Sequence, residues 1–592
     1  MNKVAERREV LRLICGKSNP AEAECGQLFL LQGDATRGPV KLDPSAAGQI
    51  PVLWQYNDRP FRLKILHFND LHGHFLHIDR KSDIPVFSKI AAYIRQTRLA
   101  YQDDPYAGVL VFSGGDEIVS SPFEMLTGSD LQTYQTHAGY QLYSKAGIDA
   151  AIFGNHEFDL GLDLLAHAIR TDASFPLLCA NLRPTPLLEG LYSPAAIFTV
   201  RGVRIGVIGL TTPAQKRGRR SPKYEVVDPI PVMKRLLPVV RSLSDVVIVL
   251  SHLGQSLKSA TAPVHIAGDV ELAQSLPFGS VNLIIGAHTH DPLNETGLDL
   301  NNLVNGIPIA QAGSNGRYLG EVDIVLRKAP ILAHLSLHHT QELPEDAAFE
   351  ERYVRPLYDR IRPYLERRLG SVEENGALMT SVCCMDASYK ESVWHNFICD
   401  GLVTRCRAQR LEVDFAMLEA SAIQSGLELG QEFTIGDWLR IMPYADTLVL
   451  CTLTGSELYE LIQDNARRID ISGEPHIERG FLHFSKEIRY RIQVNPLRSQ
   501  IQAVDIQVGG EPIEKEMDRT YQVACTSFFR GLARHWENQK HNGLPLLIFH
   551  PENAQGIDTG WFVRDLIMDH IRQYNGITQQ GGAVQDGRMV TF

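Results

Sequence analysis

Five apolar runs in the first half of the chain stop at the same kind of residue. ILHF at residues 65–68 runs into Asn69-Asp70-Leu71-His72, and AGVLVFSGG leads to Asp116. IDAAIFG ends at Asn155-His156 with Asp159 just beyond, SDVVIVLS ends at His252, and VNLIIGA ends at His288-Thr289-His290. Runs this short and this apolar, separated by stretches with helical spacing, read as buried strands of a layered α/β domain. Strands that each deliver Asp, Asn or His at the carboxyl end describe a site built along one edge of a sheet. In Asp70-x-His72 and His288-x-His290 the spacing of two puts both side chains on one side of an extended backbone. Any one of these residues is unremarkable as a loop polar group; five strand ends in succession are not.

The inventory restricts the chemistry. Two Asp, one Asn and four His suit a pair of divalent transition ions better than calcium or a lone magnesium. Two such ions about 3.5–4 Å apart clamp a phosphoryl group and generate a nucleophile at neutral pH. Asp116 is the candidate bridging carboxylate.

At 592 residues the chain exceeds one core, so two large domains with an extension are expected. The expected division is an extension over residues 1–60, a catalytic domain over 61–340, a linker helix over 341–375 and a second domain over 376–592. Within the extension, residues 4–14 have amphipathic helical spacing, and residues 27–32 and 52–56 read as β. Residues 344–372 read as a charged helix that Pro356 and Pro363 bend or break. The net charge of −11 argues against a nucleic-acid binder, and no stretch is long and apolar enough for a membrane span. Residues 1–24 lack the apolar core of a secretory signal, which makes the cytoplasm the expected compartment for a complete chain. The nine cysteines form no C-x-x-C pair, so neither a zinc ribbon nor a disulfide framework is expected.

NDLHGHF, GGDEIVSSP, GNHEFDLG, SHLG, GAHTHD and QAGSNGRYLGEVDIVL, between Asn69 and Leu326, resemble the motifs of the calcineurin-like metallophosphoesterases, and more narrowly of the two-domain 5′-nucleotidases. ESVWHNFICDGLV (residues 391–403), TIGDWLRIMPYADTLVLCTLTGSELYELIQ and the final QDGRMV resemble the framework of that family's C-terminal domain. The resemblance implies an α+β chain: a four-layer αββα metallophosphoesterase domain followed by a 5′-nucleotidase-like C-terminal α/β domain. Carried over by motif, Asp70, His72, Asp116 and His290 would hold one ion, and Asp116, Asn155, His252 and His288 the other. The ions would be manganese or zinc. His156 and Asp159 match the family's catalytic pair, with Asp159 orienting His156 and a metal-bound hydroxide attacking phosphorus in line.

The second domain departs from the family's recognition residues. Where the nucleotidases read Asn-Gly-Gly-Gly-Ile-Arg, this chain reads EASAIQ, so Glu419 stands in place of the amide and Gln424 in place of the arginine. Gln cannot reproduce a bidentate, permanently charged phosphate contact. The base-stacking loop expected after YQVACTSFF is replaced by RGLARHWENQKHNG. Pro-Phe-Gly-Asn becomes PYAD, which leaves Tyr444 as a candidate stacking ring, though Tyr444 and Phe528–Phe529 read equally as core aromatics. QKRGRRSPK at residues 215–223 places five cations in a loop, with Arg217 and Arg219 as candidate anion contacts. The expected activity is hydrolysis of a small-molecule phosphate ester other than an ordinary nucleoside monophosphate. A 5′-nucleotidase or cyclic-nucleotide phosphodiesterase, a sulfur-ester hydrolase and a non-enzymatic scaffold remain alternatives, the last with a protein contact through residues 1–60.

Overall fold

The computed structural model describes residues 9–16, 27–43, 50, 59–77, 83–118, 121–159, 161–213, 224–255, 267–373, 391–423, 425–444, 446–469, 481–494, 501–527, 540–541, 544–545 and 557–592. Each of the five apolar runs is a strand: Phe61–Phe68, Ala107–Ser113, Ala150–Ile152, Val246–His252 and Leu283–Ile285. They belong to two different sheets.

The first sheet has six strands, with Phe61–Phe68, Ala107–Ser113, Ala150–Ile152 and Leu177–Leu178 parallel in that spatial order. Tyr318–Leu326 and Pro330–His339 extend it antiparallel. In the second sheet Val203–Thr211, Val246–His252, Leu283–Ile285 and Ile307–Ala312 run parallel. The sheets face each other across a core that includes Ile65, Phe112 and Ile152 from one and Val207, Leu250 and Ile285 from the other. Helices cover both outer faces, through Ile90 and Ile94 of Phe87–Tyr101 on the first sheet and Leu236 and Val240 of Pro229–Ser242 on the second. The layers therefore run αββα. The central strands are buried on both faces, which is why they carry unbroken apolar runs rather than alternation.

One sequence expectation fails here. Glu9–Cys15, which overlaps the stretch read as helix over residues 4–14, is a strand. Leu11 and Leu13 are buried while Val10 and Ile14 are exposed, the period-two pattern of a strand with one covered face. In so short a window Val10, Leu13 and Ile14 satisfy helical spacing equally well, and tertiary pairing decides. This strand pairs with Leu28–Gln32, which falls where β was expected and itself pairs with Ala195–Val200. With Val40–Leu42 the early strands complete the second sheet. The β expectation at residues 52–56 lies outside the described residues.

Between the domains the chain is helical from Ala347 to Leu365, passing through a π-helical turn at Glu350–Val354. The wide turn lies directly ahead of Arg355-Pro356, where the missing N–H of proline interrupts the α ladder. Pro363 sits in the last turn and the helix stops at Leu365. Phe349 and Tyr358 pack against Phe87 and Phe123 of the first domain, and Arg368–Val372 then joins a three-stranded sheet with Glu432–Thr434 and Gly576–Ile577. A five-stranded sheet, built on Phe415–Glu419, Thr520–Thr526 and Thr447–Thr454, forms the centre of the second domain. Among the described residues no helix is long and apolar enough to cross a membrane.

Candidate metal centre

The carboxyl ends of the two sheets converge, and the seven expected ligand residues meet there. The first sheet brings Asp70, His72, Asp116 and Asn155; the second brings His252, His288 and His290. Asp70, His72 and His290 form one group, and Asp116, His252 and His288 another, with the donor atoms inside each group within 4.8 Å of one another. Asn155 Oδ1 lies 3.2 Å from His252 Nε2, beside the second group.

Backbone geometry aims these side chains. Asp70 donates its N–H to Gly115 O at 3.0 Å, and His72 donates to Asp116 O at 2.9 Å, so the two ligand loops stay laddered beyond their strands. Asp70, His72, Asp116, His288 and His290 all adopt positive φ, between 45° and 76°. For residues with a Cβ each such conformation costs on the order of 1–3 kcal/mol, and it persists only where the surroundings impose it. Asn69 ties the sheets together: its amide donates to Gly313 O at 2.6 Å and to Asp70 Oδ2 at 2.7 Å, while its Oδ1 accepts the Ala312 N–H at 2.9 Å. A Cβ on Gly154 would collide with Asp116 Oδ1 and stand 2.7 Å from His252 Cε1. Only glycine fits between those two ligands.

The electrostatics suit cations. Asp70, Asp116 and His252 are fully or almost fully buried. Burial resists ionisation of Asp70, but His252 and His290 outweigh it and hold the carboxyl down at about 2. Asp116 is likewise drawn well below the usual range, with burial outweighed by His252 and His156. Burial pushes the His72 and His288 imidazoles down to about 3, so both are neutral, the state in which imidazole donates to a metal. His252 alone goes far the other way: burial is outweighed by Asp116 and Asp70, and its value rises to about 10. Its Nδ1 lies 2.7 Å from Gly114 O, which directs Nε2 at the carboxylates. Asp70 Oδ1, buried without a hydrogen-bond donor, faces Nε2 of His290 at 3.3 Å, of His252 at 3.8 Å and of His72 at 3.9 Å. Two ionised buried carboxylates, one with an orphaned oxygen, ringed by imidazole nitrogens, fit a pair of divalent cations.

His156 stands at the rim. Its Nδ1 is 2.6 Å from Asp159 Oδ2, its ring lies 5.4 Å from that of His72, and its backbone N–H donates to Asp116 Oδ1 at 2.9 Å. The Asp159 bond fixes the orientation of the ring.

Glu157 was missed as a site residue. It accepts the backbone N–H groups of Asp116 at 3.2 Å, Glu117 at 3.1 Å and Gly154, clamping the two strand-end loops that carry Asp116 and Asn155-His156. Its only sequence signal was its place directly after His156. Burial and the Glu157 carboxylate push the neighbouring Glu117 well up.

The candidate substrate contacts are less gathered. Tyr444 is half-buried on the loop between the helix Ile435–Ile441 and the strand Thr447–Thr454, outside both ligand groups. Arg217, Arg219, Gln424 and Phe528–Phe529 lie outside the described residues. Glu419 is buried and accepts the Thr526 hydroxyl, so its carboxylate is engaged inside the second domain.

The calcineurin-like phosphoesterase family matches residues 63–292, and the 5′-nucleotidase C-terminal domain matches residues 370–538. The chain is 26% identical over 520 residues to protein UshA of Yersinia enterocolitica, covering 81% of this chain and 86% of that protein. It is 24% identical over 556 residues to a 5′-nucleotidase of Vibrio cholerae, covering 87% and 91%. Its fold is similar to that of a putative 5′-nucleotidase from Staphylococcus aureus, with a TM-score of 0.69 at 17% identity over 90% of this chain and 99% of that one. A calcineurin-like phosphoesterase domain joined to a 5′-nucleotidase C-terminal domain makes the chain a member of the two-domain 5′-nucleotidase family of metallophosphoesterases.

Proposed function

We propose that the chain hydrolyses a small phosphate ester at a two-metal centre, and that the substrate is not an ordinary nucleoside monophosphate. The convergence of two carboxylate–imidazole groups from opposing sheets, with the His156–Asp159 pair at their rim, carries this reading. Asp70, His72 and His290 would hold one ion and Asn155, His252 and His288 the other, with Asp116 between them. The bound ions would supply Lewis acidity toward the phosphoryl oxygens and a nucleophile at neutral pH. His156, oriented by Asp159, places an imidazole N–H where negative charge grows on the phosphoryl oxygens or the departing oxygen. Glu157 and Asn69 keep the ligand loops in position, so little reorganisation accompanies the reaction.

The substrate reading rests on the second domain. Gln424 stands where the family carries an arginine, and Glu419 is spent on Thr526 rather than offered to a ligand. A 5′-nucleotidase or cyclic-nucleotide phosphodiesterase is the second reading, favoured by the relative named a 5′-nucleotidase in Vibrio cholerae. A hydrolysis screen of manganese-loaded protein separates them, using phosphomonoesters, phosphodiesters, nucleoside monophosphates and 2′,3′-cyclic nucleotides. Turnover of simple esters without preference for a base supports the first reading. A strong preference for a nucleoside phosphate refutes it. No turnover of any phosphate ester by protein with two ions bound refutes both.

A further inference from the structure

Asp269 opens the short helix Asp269–Ser275 and is fully buried. Its carboxyl is not spent on the start of its own helix, where Glu271 accepts the Gly268 N–H at 3.0 Å. It turns instead toward two strands of the second sheet. Its Oδ1 accepts the Ser251 hydroxyl. Its Oδ2 lies so close to Gly286 that a Cβ there would collide with it, and this oxygen has no hydrogen-bond partner among the described residues. A carboxyl taken out of water is costly unless it is well hydrogen-bonded, so one that is half satisfied in an apolar layer calls for a reason beyond packing.

Ser251 and Gly286 hold equivalent places on neighbouring strands. Val246–His252 and Leu283–Ile285 run parallel and stay paired as far as Leu250 opposite Ile285, and Ser251 and Gly286 come next on each. His252 follows directly on one strand, and His288 two residues later on the other. Asp269 thus stands where the ladder between the strands stops, just before each delivers its imidazole to the second ligand group. The two rings lie there with their centroids 5.1 Å apart. Backbone bonds fasten the same corner. Asp269 donates its N–H to Gly254 O at 2.7 Å, and Val270 donates to Gln255 O at 2.9 Å. Gln255 in turn donates its N–H to Thr289 Oγ1 at 3.2 Å, between His288 and His290. Leu272 and Ala273 anchor the short helix in the core outside the second sheet.

We infer that Asp269 is a positioning residue for the second ligand group: its carboxyl holds the ends of the two strands together and so sets the spacing of His252 and His288 for an ion. The inference rests on the two-metal reading above and adds to it what aligns that pair of ligands. The carboxyl acts through its shape and its acceptor rather than its charge, since Oδ1 holds a hydroxyl and Oδ2 fills the space that Gly286 leaves open. Asp70, His72 and His290 make no use of it.

The test reads ion binding rather than turnover. The full chain and its Asp269→Ala and Asp269→Asn variants are stripped with a chelator and titrated with Mn²⁺ in a calorimeter. Wild type is expected to take two ions. In Asp269→Ala one of the two dissociation constants should rise about 10–100-fold, the scale for losing a group that orients a ligand, with the other within about threefold. Asp269→Asn, which keeps an acceptor of the same shape, should stay within about threefold of wild type for both ions. In the metal-free proteins, amide exchange in the peptide carrying Gly286 and His288 should quicken about tenfold in Asp269→Ala, with the peptide carrying Asp70 and His72 unchanged. If Asp269→Ala does not fold, Ser251→Ala removes the hydroxyl alone and should raise the same constant about fivefold. Two unchanged constants overturn the inference. Equal weakening of both ions, or equally fast exchange at Asp70 and His72, also overturns it, since Asp269 would then serve stability alone. A loss in Asp269→Asn as large as in Asp269→Ala does so too, because charge would then be the cause. If wild type binds two ions and cleaves no phosphate ester while the constants respond as expected, the hydrolase reading fails and the positioning role stands. A wild type that takes no second ion overturns both.

Discussion

Asp116 Oδ2 lies 3.1 Å from His252 Nε2, and the two residues come from different sheets. This contact joins the halves of the catalytic domain at the point where both ligand groups meet. Asp116→Ala should therefore cost at least one bound ion and abolish turnover, with metal content read by elemental analysis alongside activity. Full metal content with full activity would show that Asp116 does not bridge.

His156 lies at the rim, outside both ligand groups. His156→Ala should keep both ions and slow turnover by about 10²–10³, the scale for removing one stabiliser of transition-state charge. Asp159→Asn keeps the imidazole and loses only its orientation, so a smaller fall is expected. If His156→Ala loses metal as readily as Asp116→Ala, His156 is a ligand.

Gly154 is the tightest point of the centre. Gly154→Ala pushes a methyl group between Asp116 and His252. The expected cost is about 1–3 kcal/mol of stability by urea unfolding, together with weakened metal binding. Wild-type metal affinity in this variant would mean that the ligand loops yield more easily than their hydrogen bonds imply.

His67 is fully buried, neither ring nitrogen has a hydrogen-bond partner among the described residues, and burial lowers it from 6.5 to about 4. Below 6.5 the unfolded chain takes up a proton that the folded chain refuses. The stability this residue contributes is thus complete above that value and is lost as the pH falls toward 4. His67→Leu removes the proton site at similar size. Unfolding measured on chelated protein from about pH 7 to about pH 4 should fall less steeply in the variant, by on the order of 3 kcal/mol across the range. Parallel curves would mean that His67 is protonated within the fold.

Much of the metal centre could be read from the chain because its information is local. A strand buried on both faces is an uninterrupted apolar run, and its first polar residue marks the end of the sheet. Asp70, Asp116, Asn155, His252 and His288 all stand at or just beyond such ends. Glu157 escaped notice because its partners are backbone N–H groups, which leave no trace in residue types. The spacing of residues 4–14 does not reveal the strand Glu9–Cys15 because that strand is set by its pairing with Leu28–Gln32 and Val40–Leu42, and the Leu28–Gln32 partner Ala195–Val200 lies much further along. Arg564 donates to Glu124 across 440 residues, a separation that no periodicity spans.

The early strands also bear on how the protein can be handled. Ala195–Val200 takes hydrogen bonds from Leu28–Gln32 along one side. A version trimmed to the family boundary near residue 63 would bare a row of unpaired N–H and C=O groups beside Ile197 and Phe198, the kind of naked edge that recruits strands from other molecules. Such a fragment should aggregate on expression even though every candidate ligand of the metal centre is present. The strands Glu9–Cys15, Leu28–Gln32 and Val40–Leu42 thus act as a selvedge, the woven border that keeps a cloth from fraying.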